Sequence, residues 1–365
     1  MRIGILTFHR AINYGAVLQC YALQDFLRGR GHEVEVIDYR LPSIENQKKL
    51  LSLPEFISRK GLVGKLKYLI KSILLSKRMR KSVIVFDTFL KKNISLSPVV
   101  KNVKDFSSEY DLIVFGSDQI WNPRLCKGFD PMFWGQFPKN TTKFVTYAVS
   151  LGEPEELDEK QWLKIEEYIR VFDKVSVREE SLKIALESKL SIPVSLCLDP
   201  TLLADQNCFE KIVRCPKESN YVFLYNVQND PNAYKFAKQL ADQLNCKLIR
   251  GQAKPQLEYK KESDYSLVEG ISPEEFLGYI KCARLVIGNS FHAIAMSLVF
   301  RKNFYSLDCA RPGRVKNILG KTGLLDRHVS STQRTIKYCD VDYSDFELRM
   351  AELKTESIQF VSSIE

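Results

Sequence analysis

The first 38 residues constrain the fold most. Residues 3–8 are apolar and strand-like, 9–15 form a loop, 17–30 carry helical spacing, Gly31 ends that helix, and 33–38 read as a second strand. A strand, a helix and a strand in that order require a crossover, which returns the chain as a parallel neighbour. The alternation continues with strands at 111–115, 143–150, 174–177 and 194–198, and helical stretches at 154–171 and 179–187. A second series has strands at 221–226, 247–250, 285–287 and 303–307, with helices at 231–244, 273–283 and 293–300. Between the two series, residues 204–220 show no strong period and include Pro216.

The chain's 365 residues suffice for two domains of ordinary size. We therefore expect an α/β protein with two Rossmann-like domains facing a cleft. The first covers residues 1–205, with a basic amphipathic insertion at about 42–81. The second covers 206–345, and a helix in 346–365 packs back on the first.

An apolar share of 45% and a charged share of 27% fit a soluble globular protein. No apolar run approaches the roughly 18 residues of a membrane span. The first residues enter a strand without a signal peptide's apolar core, so a cytoplasmic location is expected. The nine cysteines are scattered and form no CxxC pair, which points to reduced thiols. No Cys/His cluster has metal-ligand spacing, so no metal is expected.

The net charge of +10 is concentrated, because residues 59–81 carry nine bases and no acid. Leu62, Leu66, Leu69, Ile70, Ile73 and Leu74 recur there at helical spacing. A basic amphipathic helix suits an anionic membrane surface, or else is a solvated face of a packed helix. No nucleic-acid module accompanies it, so no nucleic-acid partner is expected.

Ligands in open α/β sheets bind beyond the carboxyl ends of strands. Four such places carry chemistry. After strand 285–287 come Gly288, Asn289, Ser290 and Phe291, with His292 where a helix begins. Backbone N–H groups, a helix dipole and an imidazole there suit an anion, unless His292 is a satisfied core residue. After strand 111–115, Asp118 stands beside Gln119 and Trp121. Asp118 suits a general base and Trp121 a sugar-stacking face, unless they are a turn cap and a core aromatic. The turn Asn13-Tyr14-Gly15 precedes a helix but lacks a GxGxxG fingerprint, so no dinucleotide cofactor is expected. Arg178 ends strand 174–177, where it either grips a carboxylate or phosphate or pairs with Glu179 or Glu180.

Five runs occur in order: NYGAVLQCYAL at 13–23, FGSDQIWNP at 115–123, SVRE at 176–179, LDPTL at 198–202 and IGNSFHAIA at 287–295. Together they resemble the polysaccharide pyruvyl transferase family. The resemblance implies a fold like that of GT-B glycosyltransferases. It also implies transfer of a pyruvyl group from phosphoenolpyruvate to two hydroxyls of a sugar, with phosphoenolpyruvate as a substrate and no cofactor. By resemblance, Arg178 holds the donor, and Asn289, Ser290 and Phe291 hold its phosphate or carboxylate. His292 is the expected acid and Asp118 the expected base. Asn13, Tyr14, Gly15, Gln119 and Trp121 line the acceptor site. Several relatives carry Arg where this chain has Ser290. Arg314 or Arg311 is the expected substitute, with Arg301 and Lys302 as alternatives. The acceptor is expected on a polyprenyl-diphosphate carrier, with the protein peripheral to the inner membrane face. The rivals are a nucleotide-sugar glycosyltransferase and a non-catalytic carbohydrate- or lipid-binding relative.

Overall fold

A computed structural model describes the chain except residues 49–52, 59–60, 107–108, 256–264, 309–312 and 334–335. The side chains of 47, 53–55 and 105 are also outside the description. Arg59, Lys60 and Arg311 therefore lie outside the described residues.

Two parallel six-stranded sheets organise the fold. The first contains β1 (Arg2–Leu6), β2 (Glu33–Val36), β3 (Leu112–Asp118), β4 (Lys143–Val149), β5 (Val175–Val177) and β6 (Val194–Leu196). Its order is β2-β1-β3-β4-β5-β6. The second contains β7 (Tyr221–Tyr225), β8 (Lys247–Gln252), β9 (Ser266–Glu269), β10 (Leu285–Gly288), β11 (Phe304–Leu307) and β12 (His328–Val329). Its order is β12-β11-β10-β7-β8-β9. Parallel strands are covered on both faces, and every residue of β3, β7 and β10 is buried accordingly.

Strand order reverses between β1 and β3 in one sheet and between β7 and β10 in the other. Such switch points open a crevice at the strands' carboxyl ends. Asn13 lies in the loop after β1, Asp118 ends β3, and His292 is in the first turn of the helix after β10. Topology alone thus puts these three residues at crevice positions.

The halves share a core. Helix Tyr14–Gly29 of the first half packs with helices Pro273–Lys281 and Phe291–Val299 of the second. Tyr14 stacks on Phe276 at 4.2 Å and on Phe86 at 5.1 Å. Phe86 belongs to helix Gly61–Asn93, a single helix that runs well beyond the basic stretch. The terminal helix Phe346–Ser362 lies on the first half, where Ser357 accepts a hydrogen bond from the Leu198 N–H at 2.9 Å. No helix among the described residues is long and apolar enough to cross a membrane.

The reduced-thiol reading needs one correction, because Cys215 and Cys282 are disulfide-bonded. They are 67 residues apart, so no local spacing reveals the pair. Packing brings them together. The Arg214 N–H bonds the Glu274 carbonyl at 3.0 Å, and a β-carbon on Gly278 would fall 1.9 Å from the Arg214 oxygen. Only glycine admits so close a backbone. Strands β9 and β12 and helix Gly313–Lys321 were also not anticipated.

Candidate active site

Asp199 sits at the centre of the site. Its Oδ1 accepts from the Thr201 N–H at 3.0 Å and hydroxyl at 2.7 Å, capping the short helix Pro200–Leu203. Its Oδ2 faces the cleft and accepts from Arg178 Nη1 at 2.5 Å. His292 Nε2 lies 3.4 Å from the same oxygen, within ion-pair reach but without a hydrogen bond. Asp199 is 1% exposed, and burial alone would raise its pKa. The nearby His292 and Arg178 charges and the Thr201 hydrogen bond outweigh that and hold the carboxyl well below the usual range.

Arg178 follows β5 and is buried. Its Nε donates to Glu179 at 3.1 Å, and its Nη2 approaches Asp118 at 3.9 Å. Burial works against its charge, but Glu179, Asp199 and Asp118 together push its pKa above the ordinary value. The Phe291 ring centroid lies 5.2 Å from the Arg178 guanidinium carbon and 5.8 Å from that of Arg314. Two guanidiniums therefore share one ring. Burial and the charge of Arg178 lower the Arg314 pKa. With its amide oxygen turned towards Arg314, Gln119 accepts from both terminal nitrogens at 3.1 Å.

A cavity of about 440 Å³ opens here, walled by Gln119, Arg178, Glu179, Asp199, Phe291 and Arg314 among others. Arg178 Nη2, Glu179 Oε2 and His292 Nε2 are buried without a hydrogen-bond partner. Buried polar atoms are rarely left so, and three at one place mark a site suited to a polar ligand. His292 and Asp118 are not part of the cavity wall. His292 touches it through Asp199, and Asp118 through Arg178.

His292 is the second residue of helix Phe291–Val299. Ser290 caps that helix without a side-chain hydrogen bond, so it satisfies none of the first-turn N–H groups. On its other side His292 abuts Gly15, where a β-carbon would fall 2.0 Å from Nδ1. Asp118 closes β3 with a φ of 70°, a left-handed conformation open to Asp at modest cost.

Other expected site residues serve the scaffold. Trp121 has no free face for a sugar: it is 1% exposed, stacks on Trp134 at 4.3 Å and donates to the Phe133 carbonyl. Tyr14 is buried in its aromatic stack, with its hydroxyl on the Ile271 carbonyl at 3.2 Å. Asn13 caps helix Tyr14–Gly29 through the Gly15 N–H at 2.9 Å. Asn289 spends its amide on the Val227 N–H and the Asn226 side chain. Of the expected substitute cations, Arg314 reaches the cavity, whereas Arg301 pairs with Glu347 at 2.5 Å and neither it nor Lys302 lines the cavity. Sequence reasoning missed Asp199, Glu179 and Thr201 as site members. The available signal was an Asp-Pro step closing an apolar strand, the position from which the carboxylate reaches the crevice.

Two parallel sheets whose strand ends meet at a cavity lined by both guanidiniums and carboxylates define a two-part α/β protein with GT-B glycosyltransferases and epimerases as its structural neighbours. SnogD, a glycosyltransferase from Streptomyces nogalater, is 11% identical, with 98% of this chain and 95% of that one covered and a TM-score of 0.45. The UDP-GlcNAc 2-epimerase of Methanocaldococcus jannaschii is 11% identical, with coverages of 97% and 100% and a TM-score of 0.41. An α-glucosyltransferase in complex with UDP and DNA is 9% identical, with coverages of 99% and 94% and a TM-score of 0.47. No match is found among curated proteins. The profile of the family described as polysaccharide pyruvyl transferase matches residues 13–311. The chain belongs to the polysaccharide pyruvyl transferase family.

Proposed function

We propose that this protein moves a pyruvyl group from phosphoenolpyruvate onto two hydroxyls of a sugar, forming a cyclic ketal and releasing phosphate. The observation that carries this reading is the cavity itself, with Arg178 and Arg314 on one aromatic ring beside three unpartnered buried polar atoms. A small ligand with two anionic groups suits that arrangement, one group on each guanidinium.

The chemistry follows from the groups at hand. His292, whose Nε2 lies 3.4 Å from the Asp199 carboxylate, donates a proton to the donor's methylene carbon. The adjacent carbon becomes oxocarbenium-like and is attacked by a sugar hydroxyl, whose proton Asp118 takes. The carbon–oxygen bond to phosphate then breaks, and the second hydroxyl closes the ring. One hydroxyl proton ends on the new methyl group and the other leaves with phosphate, so no oxidant or reductant enters. Arg178 and Arg314 offset the charge of the departing phosphate. We assign the acceptor to sugars on a polyprenyl-diphosphate carrier at the cytoplasmic membrane face.

Titration calorimetry tests the donor assignment. Phosphoenolpyruvate should bind the wild-type protein and bind Arg178→Gln much more weakly. Binding of a nucleotide sugar in its place would support a glycosyltransferase and remove the proposal.

A further inference from the structure

We propose that helix Gly61–Asn93 is a membrane-docking element whose first half lies in the interface of an anionic bilayer. At 100° per residue, its buried residues Leu75, Ser82, Phe86, Phe89 and Leu90 share one face. Leu62, Val63, Leu66, Ile70, Ile73 and Leu74 fall on the opposite face and are 49–85% exposed. Ile57, on the preceding helix Leu53–Ser58, is 66% exposed as well. A soluble helix normally turns its polar face outward, and a contiguous aliphatic stripe of this kind marks an interaction surface.

Charge selects the occupant. From residue 61 to 86 the chain carries Lys65, Lys67, Lys71, Lys77, Arg78, Arg80 and Lys81 and no acid. By helical position Lys67 and Lys71 border one edge of the stripe and Lys65 the other, while exposed Lys77 ends it. A second copy docking by the same face would set these cations against themselves. An anionic lipid surface instead accepts the aliphatic stripe into its acyl boundary and the lysines at its headgroups.

The second half of the helix is fastened to both halves of the protein. Phe86 stacks on Tyr14, which stacks on Phe276. Arg78 pairs with Glu269 of β9, and Asn93 reaches Glu274 at 3.3 Å. Residue 15, next to the stacked Tyr14, is the one that touches His292. The docking stripe is thus continuous with a helix bolted at the joint beside the site. The docking itself does not depend on the identity of the transfer reaction.

Co-sedimentation of the full chain with vesicles tests this, using phosphatidylglycerol/phosphatidylcholine mixtures against pure phosphatidylcholine at low and high salt. Binding should require the anionic lipid and weaken with salt. Lys67→Gln/Lys77→Gln should lower the partition about 25-fold, at roughly fivefold per lysine. Leu66→Ser/Ile70→Ser/Ile73→Ser should abolish it, with the circular-dichroism melt unchanged because these positions are exposed. Ketal transfer to a water-soluble acceptor should be unaffected in both variants, which separates this question from the reaction. No binding to anionic vesicles at low salt, or binding indifferent to both variants, would overturn the proposal. So would a sedimenting dimer that the triple-serine variant disperses, which would make the stripe a self-contact.

Discussion

His292 rests so closely against Gly15 that a β-carbon at residue 15 would fall 2.0 Å from Nδ1 and 2.3 Å from Cγ. The two residues come from opposite halves of the protein, one at the start of helix Tyr14–Gly29 and the other at the start of helix Phe291–Val299. Gly15 is needed here for close approach, since its helical backbone suits any residue. Gly15→Ala should therefore push the imidazole off Asp199. A displacement of about 1 Å at a reacting group costs roughly 100-fold in rate. Steady-state kinetics should show kcat down by about that factor, with phosphoenolpyruvate KM changed far less. Wild-type kcat in this variant would take His292 out of the reaction.

Asp199 should be both a stability and an activity residue. Asp199→Asn leaves Arg178 and His292 without their shared counter-charge, and breaking a buried pair costs about 3–5 kcal/mol. The acid limb of stability should change too. The folded carboxyl is depressed, so its contribution is present above the unfolded pKa of about 3.9 and is lost as pH falls through the folded value. Thermal melts across the acid range should therefore fall less steeply below about pH 4 for Asp199→Asn than for wild type. Parallel curves would mean that the carboxyl titrates alike in both states.

Arg314 is predicted to replace the cation that several relatives carry at the Ser290 position. Loss of a hydrogen bond to a charged ligand costs about 1.5–3 kcal/mol. Arg314→Gln should thus lower kcat/KM for phosphoenolpyruvate by roughly 10- to 150-fold. Adding Ser290→Arg should restore part of the loss, and no rescue would place the anion elsewhere.

Trp121 should matter for folding and not for sugar binding. Phe/Trp→Ala changes in cores cost about 3–5 kcal/mol. Trp121→Ala is therefore expected to lower the melting temperature markedly while leaving acceptor KM near wild type in the folded fraction. A selective rise in acceptor KM would return Trp121 to the binding site.

These residues also show what a sequence can and cannot disclose. Strand and helix periods are local, so the alternation from β1 to β6 was legible, as were the turns holding Asp118, Arg178 and His292. Burial on both sides is not local. Trp121 reads the same whether it meets a sugar or Trp134, and only the packed structure decides. Asp199 needed three separate elements to converge on one carboxylate, and Cys215–Cys282 needed a helix to close on a distant loop. The long helix was legible as basic and amphipathic. Its two opposed apolar faces became distinct only once one of them was filled by the core.

The most direct test pairs phosphate release with mass spectrometry of a panel of lipid-linked sugars incubated with phosphoenolpyruvate. One phosphate should appear for each acceptor that gains the mass of pyruvate less one water, and both signals should vanish in His292→Ala and Asp118→Ala. Phosphate release without acceptor mass gain, or product formation only from a nucleotide sugar, would contradict ketal transfer by this protein.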